Sequence, residues 1–291
     1  TPLYSSAASD VYKRQARMEI FMNISGFLSD TVTSKDNPSV KRFRKLMTSK
    51  KERFHNRLFA LEGSRLVFDA LKNNAPVKKI FVTESALKKY ADKLESIKLR
   101  DIDLIAISDE LGVKIADTGK TQGIFAECAF IDKTDKLSSL KKRGRYAVLY
   151  QLQDPGNAGM IIRTADALGL DGVIFTESCD IYNPKVVRST MGSIFRIPVY
   201  RDIPADDVFA AMDSAVINTY AAVVDRDAVD IKTVDFRNGG GIVIGNEGNG
   251  LPEEIILKCT QRITIKMNGN IDSLNAAMAT GIIMWELMKF E

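Results

Sequence analysis

Histidine and cysteine are scarce in this 291-residue chain: His55 stands alone, and Cys128, Cys179 and Cys259 lie far apart with no Cys-x-x-Cys. One histidine removes any histidine-rich metal cluster and leaves a single candidate for a histidine-based nucleophile relay. Three dispersed cysteines write neither a disulfide framework nor a four-cysteine zinc site, and they suit a reducing cytoplasm. No stretch approaches the roughly 18 uninterrupted apolar residues of a membrane span, and the amino-terminal region lacks the apolar centre and small-residue cleavage site of a secretory signal. The sequence predicts a cytoplasmic protein that does not enter a membrane. What is present is ordinary for a globular protein: 45% hydrophobic and 27% charged residues, in a length that suits two domains, each with its own core.

Residues 1–17 show neither helical nor strand periodicity and are expected to be a non-native or disordered segment outside the fold. The net charge of +4 hides an asymmetry. Between Lys35 and Arg57 nine basic residues face two acidic ones, a local +7, which leaves −3 for the rest of the chain. Such a segment suits a polyanion, because each phosphate neutralised releases counterions. A solvated helix face is an equally good reading, with Phe43 and Phe54 as core residues rather than base-stacking platforms.

From Leu58 to Phe130 short apolar runs alternate with amphipathic stretches, giving a small α/β domain over residues 35–131 once the basic approach is included. Residues 132–145, polar and without period, read as a linker. Residues 146–291 then alternate strands and helices, and the strands are apolar nearly throughout, which predicts a parallel sheet covered on both faces. Ligands of such sheets sit beyond the carboxyl ends of the strands, so the loops after YAVLYQL, GIVIG and RITI are the places to seek chemistry.

The first loop, Asp154-Pro-Gly-Asn-Ala-Gly-Met-Ile-Ile-Arg, turns at Pro155 and Gly156, offers Asn157 as a helix cap and places Arg163 about one and a half turns into an apolar helix. A lone arginine there is most simply a bridge to a neighbouring helix. A dinucleotide-binding loop is the alternative, with Glu177 about 20 residues on, but Asp154 occupies the place of its first glycine. The second loop, Gly245-Asn-Glu-Gly-Asn-Gly-Leu-Pro-Glu-Glu, frees the backbone for close approach, sets Pro252 at a helix start and leaves Glu247 among glycines where packing does not explain it. Two acids at that helix start argue against a phosphate ligand. In the third, Asp272 or Ser273 caps a helix that is small or apolar nearly all round, which suits burial or a subunit interface.

Each loop alone is weak, but their order and spacing are specific. Asn-x-Gly-x-x-x-Arg-Thr-Ala, Ile-Gly-Asn-Glu-Gly-x-Gly-Leu and Ser-Leu-Asn before an apolar helix resemble the three motifs of the SpoU (TrmH-like) RNA ribose 2′-O-methyltransferases. The segment Asn183–Ser193, with Phe195 and Pro198, is similar to the same family, as are Phe59-Ala-Leu-Glu-Gly and Thr121-Gln-Gly-Ile-Phe-Ala to its small substrate-binding domain. The resemblance implies S-adenosyl-L-methionine as cofactor, a trefoil-knotted carboxyl-terminal domain, a homodimer with the last helix in its interface, and RNA as substrate, 23S ribosomal RNA ahead of transfer RNA. It implies cofactor contacts at Gly245, Ile265, Met267 and Leu274, and polar catalytic positions at Asn157, Arg163, Glu247, Ser273 and Asn275. Glu247 or Ser273 would orient Arg163 or relay a proton. The basic segment then supplies RNA contacts through Lys41, Arg42, Arg44, Lys45, Lys50, Lys51 and Arg53. One departure is Ile265-Lys266-Met267, where the family commonly has Ile-Pro-Met, so proline stiffness is lost there. A catalytically inactive RNA-binding factor is the competing reading, but such a protein would erode the polar loop residues, which are intact.

Overall fold

The computed structural model describes residues 30–95, 102–132, 137, 140–267 and 273–289. The expected non-native segment 1–17, Asp272 and part of the 132–145 stretch lie outside them. The basic segment forms two helices, α1 (Pro38–Thr48) and α2 (Lys50–Asn56). Asn37 caps α1 by accepting from the Ser39 and Val40 amides, and Pro38 takes the first helical position, where a missing N–H costs nothing. Val40, Phe43 and Leu46 fall on one face and are buried. Phe43 packs against Phe81 and Phe125 at ring-centroid distances of 5.3 and 5.6 Å, so it is a core residue and not a stacking platform.

The chain continues through β1 (Leu58–Glu62), α3 (Ser64–Lys72), β2 (Val77–Thr83), α4 (Glu84–Glu95), β3 (Asp103–Ile107), α5 (Asp109–Ile115) and β4 (Ile124–Ala129). The four strands form one sheet in the order β1-β4-β2-β3, antiparallel except for the β2–β3 pair. Helix α5 is additional to the sequence reading, although Ser108 accepting from the Leu111 amide is an ordinary helix start.

The second sheet is built from β5 (Arg145–Tyr150), α6 (Pro155–Leu168), β6 (Gly172–Thr176), α7 (Pro184–Ser189), β7 (Val199–Tyr200), α8 (Ala205–Ser214), β8 (Thr219–Ala222), β9 (Val229–Asp230), β10 (Gly240–Ile244), α9 (Glu253–Ile256), β11 (Gln261–Thr264) and α10 (Ala276–Met288). Its order is β7-β6-β5-β10-β8-β11-β9, and every pair is parallel, as the apolar strands predict. Strand β10 enters between β5 and β8, so the order reverses at the β5–β10 pair, the position where such sheets open a crevice for a ligand.

Three helix starts differ from the sequence reading. Helix α6 starts at Pro155 because the Asp154 carboxylate accepts from the Asn157 amide at 2.9 Å, so Asn157 lies inside the helix and Arg163 is more than two turns along it. Helix α10 is capped by Asn275, which accepts from the Ala277 and Met278 amides at 3.0 and 3.2 Å, and Ser273 precedes the cap. Pro252 stands one position before α9, with no capping hydrogen bond from its side chain, instead of at the first helical position.

The two sheets are joined by buried contacts. Arg53 pairs with Asp180 at 2.7 Å, with both side chains almost fully buried. Phe130 stacks on Tyr182 at 4.0 Å, and the Tyr182 hydroxyl donates to Asp132 while accepting from the Ile131 and Asp132 amides. Burial pushes that phenol well above its ordinary value, so it stays a donor.

Candidate active site

Beyond the carboxyl ends of β8, β10 and β11 lies a cleft of about 520 Å³, ordinary in size for a small-molecule site. Gly245, Ile265, Met267 and Leu274 line it together, four positions up to 29 residues apart in sequence. Ile244, Leu251, Ile263 and Ile283 complete an apolar wall. The chain past β8, Val223 to Asp225, forms another wall. Sequence reasoning passed over this segment, although it too follows a strand end of a parallel sheet.

The glycine-rich loop closes on itself. Asn246 and Gly250 exchange backbone hydrogen bonds of 3.0 and 2.9 Å, and Gly250 takes a φ of +68°. A Cβ on Gly245 would stand 2.2 Å from the Gly250 carbonyl carbon and 2.3 Å from its oxygen. Glycine at 245 therefore serves the pinch of the loop itself, and the cleft wall it forms is backbone.

Glu247 is explained by the same pinch. Its carboxylate accepts from the backbone amides of Gln153 and Asp154 at 3.0 and 2.9 Å and from the Asn157 side-chain amide at 3.1 Å. Burial raises the Glu247 carboxyl, but these donors outweigh it and hold the group below its ordinary value. The Asn157 carbonyl oxygen in turn accepts from the Asn275 amide at 3.0 Å, and Asn275 caps α10. One relay, Glu247 to Asn157 to Asn275, thus ties all three loops. Asn157 spends both ends of its amide on this relay and Glu247 uses both oxygens, so they position the loops.

Arg163 and Ser273 are not in the relay. Arg163 is exposed on α6, does not line the cleft, and has no hydrogen-bond or ion-pair partner among the described residues. The expected bridge to a neighbouring helix is therefore not formed, and Glu247 does not orient it. Ser273 lines the cleft with its hydroxyl unpaired among the described residues. The cysteines offer no nucleophile: burial pushes Cys179 up to about 12 and Cys259 up to about 11, and Cys128 is raised further. No group of residues able to hold a metal occurs among those described.

The basic segment divides. Arg44, Lys50 and Lys51 are exposed without carboxylate partners among the described residues, while Lys41 and Lys45 are exposed beside Asp36 and Glu52. Arg42 forms a forked pair with the buried Glu127. Arg53 is not a surface cation: it is 3% exposed, paired with Asp180 and donating to the Leu46 carbonyl at 2.7 Å. Its expected place among the RNA contacts is corrected to a buried tie between the two halves.

Comparison with known proteins adds to this geometry. The SpoU rRNA Methylase family matches residues 144–285, and the MRM3-like substrate binding domain matches residues 37–126. The chain is 31% identical over 258 residues to the 23S rRNA (guanosine(2553)-2'-O)-methyltransferase RlmP of Bacillus subtilis (strain 168), covering 88% of this chain and 98% of that protein. The AdoMet-bound rRNA methyltransferase from Sinorhizobium meliloti superposes with a TM-score of 0.79 at 31% identity, over 89% of this chain and 97% of that one. The SpoU methyltransferase AviRb from Streptomyces viridochromogenes, in complex with AdoMet, superposes at 0.77 with 25% identity, over 87% and 98% of the two chains.

Proposed function

The chain belongs to the SpoU rRNA methylase family, and from that membership and the three tied loops we propose that it transfers a methyl group from S-adenosylmethionine to a ribose 2′-hydroxyl of 23S ribosomal RNA. The observation that carries the reading is the relay Glu247–Asn157–Asn275, which joins three separated motifs through Glu247 on the wall of one cleft.

The residues present suit the cofactor. The cleft wall combines apolar side chains and backbone with a few charged groups, Asp225, Glu247, Glu253 and Arg262, and the acids opening α9 disfavour phosphate, as fits a cofactor that has none. Gly245, Ile265, Met267 and Leu274 would hold it there. When bound, S-adenosylmethionine supplies an electrophilic methyl group on a sulfonium. The chain's own residues have to align an acceptor oxygen and exclude water. Arg163 suits the alignment, because a guanidinium keeps its charge in proteins and recognises phosphate with paired donors, whereas as a proton acceptor it is poor. Glu247, which already accepts three hydrogen bonds and has its pKa lowered, positions Asn157 rather than serving as the base. Ser273 contributes a hydroxyl at the cleft that has no partner among the described residues.

Arg163 lies on the same exposed face of α6 as Met160, one turn away, and α6 packs against α10, where Thr164 approaches Gly281 and where Met278, Ile282 and Trp285 are exposed. A large exposed apolar patch on a soluble protein marks an interaction site. The proposed homodimer buries this face and brings Arg163 to the interface, where a cleft of the partner subunit would meet it. The trefoil-knotted path of the family and a cytoplasmic location, in keeping with three free thiols, complete the reading.

Ribosomal RNA is favoured over transfer RNA by the amino-terminal half, which matches a substrate-binding domain and carries Arg44, Lys50 and Lys51 on its surface. Transfer of labelled methyl from S-adenosylmethionine to separate pools of unmodified ribosomal and transfer RNA tests the substrate class. Label in 23S RNA is expected; label in transfer RNA alone would overturn it.

A further inference from the structure

Four charged residues line the cleft: Asp225, Glu247, Glu253 and Arg262. Glu247 is consumed by the loop relay. Asp225 sits just past the carboxyl end of β8 and none of the three motifs contains it. Its two oxygens are each half used: Oδ1 accepts from the Asp227 amide at 2.9 Å, and Oδ2 from the Arg262 guanidinium at 3.0 Å. A carboxylate offers about four lone-pair sites, so one remains on each oxygen. The side chain is 31% exposed and thus fixed by two donors yet open to the cleft.

Three features select a ligand group for these lone pairs. Asp225 is separated from the loop after β5 by β10, two strand spacings or roughly 10 Å, so it faces a part of the ligand away from the transferring methyl. Arg262 already neutralises its charge, so what it offers is hydrogen-bond acceptance; a cationic group would do better at Glu253, which has no ion-pair partner among the described residues. Two acceptor sites on adjacent oxygens match two adjacent hydroxyl donors. We infer that Asp225 is a cofactor-binding residue that accepts from the ribose diol of the adenosyl group, with Arg262 holding it in place. This inference rests on the cofactor reading above and extends it to a residue outside the motifs.

Calorimetric titration of the full chain with S-adenosylmethionine, 5′-methylthioadenosine and the 2′- and 3′-deoxy forms of the latter tests it. Methylthioadenosine keeps the diol and lacks the amino acid and sulfonium. Wild type should lose about tenfold in affinity when a hydroxyl is removed, the size of a charge-assisted hydrogen bond. Asp225→Ala should bind methylthioadenosine about tenfold more weakly and no longer distinguish the deoxy forms. Asp225→Asn, which keeps the shape and the Asp227 turn, should show a smaller loss in the same pattern. Either variant binding methylthioadenosine with wild-type affinity and discrimination overturns the assignment. So does weakening confined to S-adenosylmethionine, which would place Asp225 on the ammonium instead. Wild type that discriminates no deoxy form overturns it without any variant, and wild type that binds no S-adenosylmethionine overturns the cofactor reading as well.

Discussion

At the scale of single residues, the polar groups of the three motifs separate into ties and free ends. Arg163 is a free end, and Arg163→Ala should lower methyl transfer by about 100-fold or more, the cost of losing a charged positioning group, while S-adenosylmethionine binds within about twofold of wild type. Normal turnover of that variant would refute the role. Glu247 is a tie. Glu247→Gln turns an acceptor into a group that presents N–H to N–H, and should destabilise the protein by about 1–2 kcal/mol in a urea melt. Because the folded Glu247 carboxyl lies below its ordinary value of 4.5, its contribution is complete above that pH and is lost as pH falls below it. Wild-type stability should therefore fall more steeply than that of Glu247→Gln on the acid side, and the two curves should run parallel at neutral pH.

At the scale of elements, the loop pinch sets how the cleft wall is built. Gly245→Ala places a methyl against backbone atoms of Gly250 that cannot swing aside, and should cost about 2–3 kcal/mol together with most of the cofactor affinity. Gly248→Ala, whose added carbon would be 3.5 Å from its nearest neighbour, should be tolerated, and thermal melts of the pair make the comparison. The strands of the large sheet were legible because burial on both faces demands continuous apolar runs. Strand β9 was not, since two residues carry no period. The α6 cap was within reach of the sequence: Pro155 at the first helical position points to Asp154 before it, by the same logic that makes Asn37 the cap before Pro38. The α10 cap was less so. Ser273 and Asn275 are both good caps, and Asn275 is also held by Asn157, a residue 118 positions away. The cleft residues Gly245, Ile265, Met267 and Leu274 were found through family resemblance, whereas the Val223–Asp225 wall, outside any motif, became visible only once β8 was seated between β10 and β11.

At the scale of the molecule, one surface decides how the halves meet and a second is the one the proposed dimer would use. The Arg53–Asp180 pair is buried between the sheets, and removing one partner strands the other charge, so Arg53→Ala should cost about 3–5 kcal/mol. A loss this large, beside near-wild-type stability for Lys51→Ala, would separate the buried tie from the solvated cations by denaturant melts. Trp285, 63% exposed on α10, should anchor the proposed dimer. Trp285→Asp is expected to sediment as a monomer and to bind RNA through its amino-terminal half while transferring little methyl. Alkali reads attack by a ribose hydroxyl directly, because a 2′-O-methyl group prevents cleavage of the adjoining phosphodiester. After labelled methyl transfer to 23S RNA and alkaline hydrolysis, the label should run in alkali-resistant dinucleotides. Label in mononucleotides would mean that a base, and not the ribose, had been methylated.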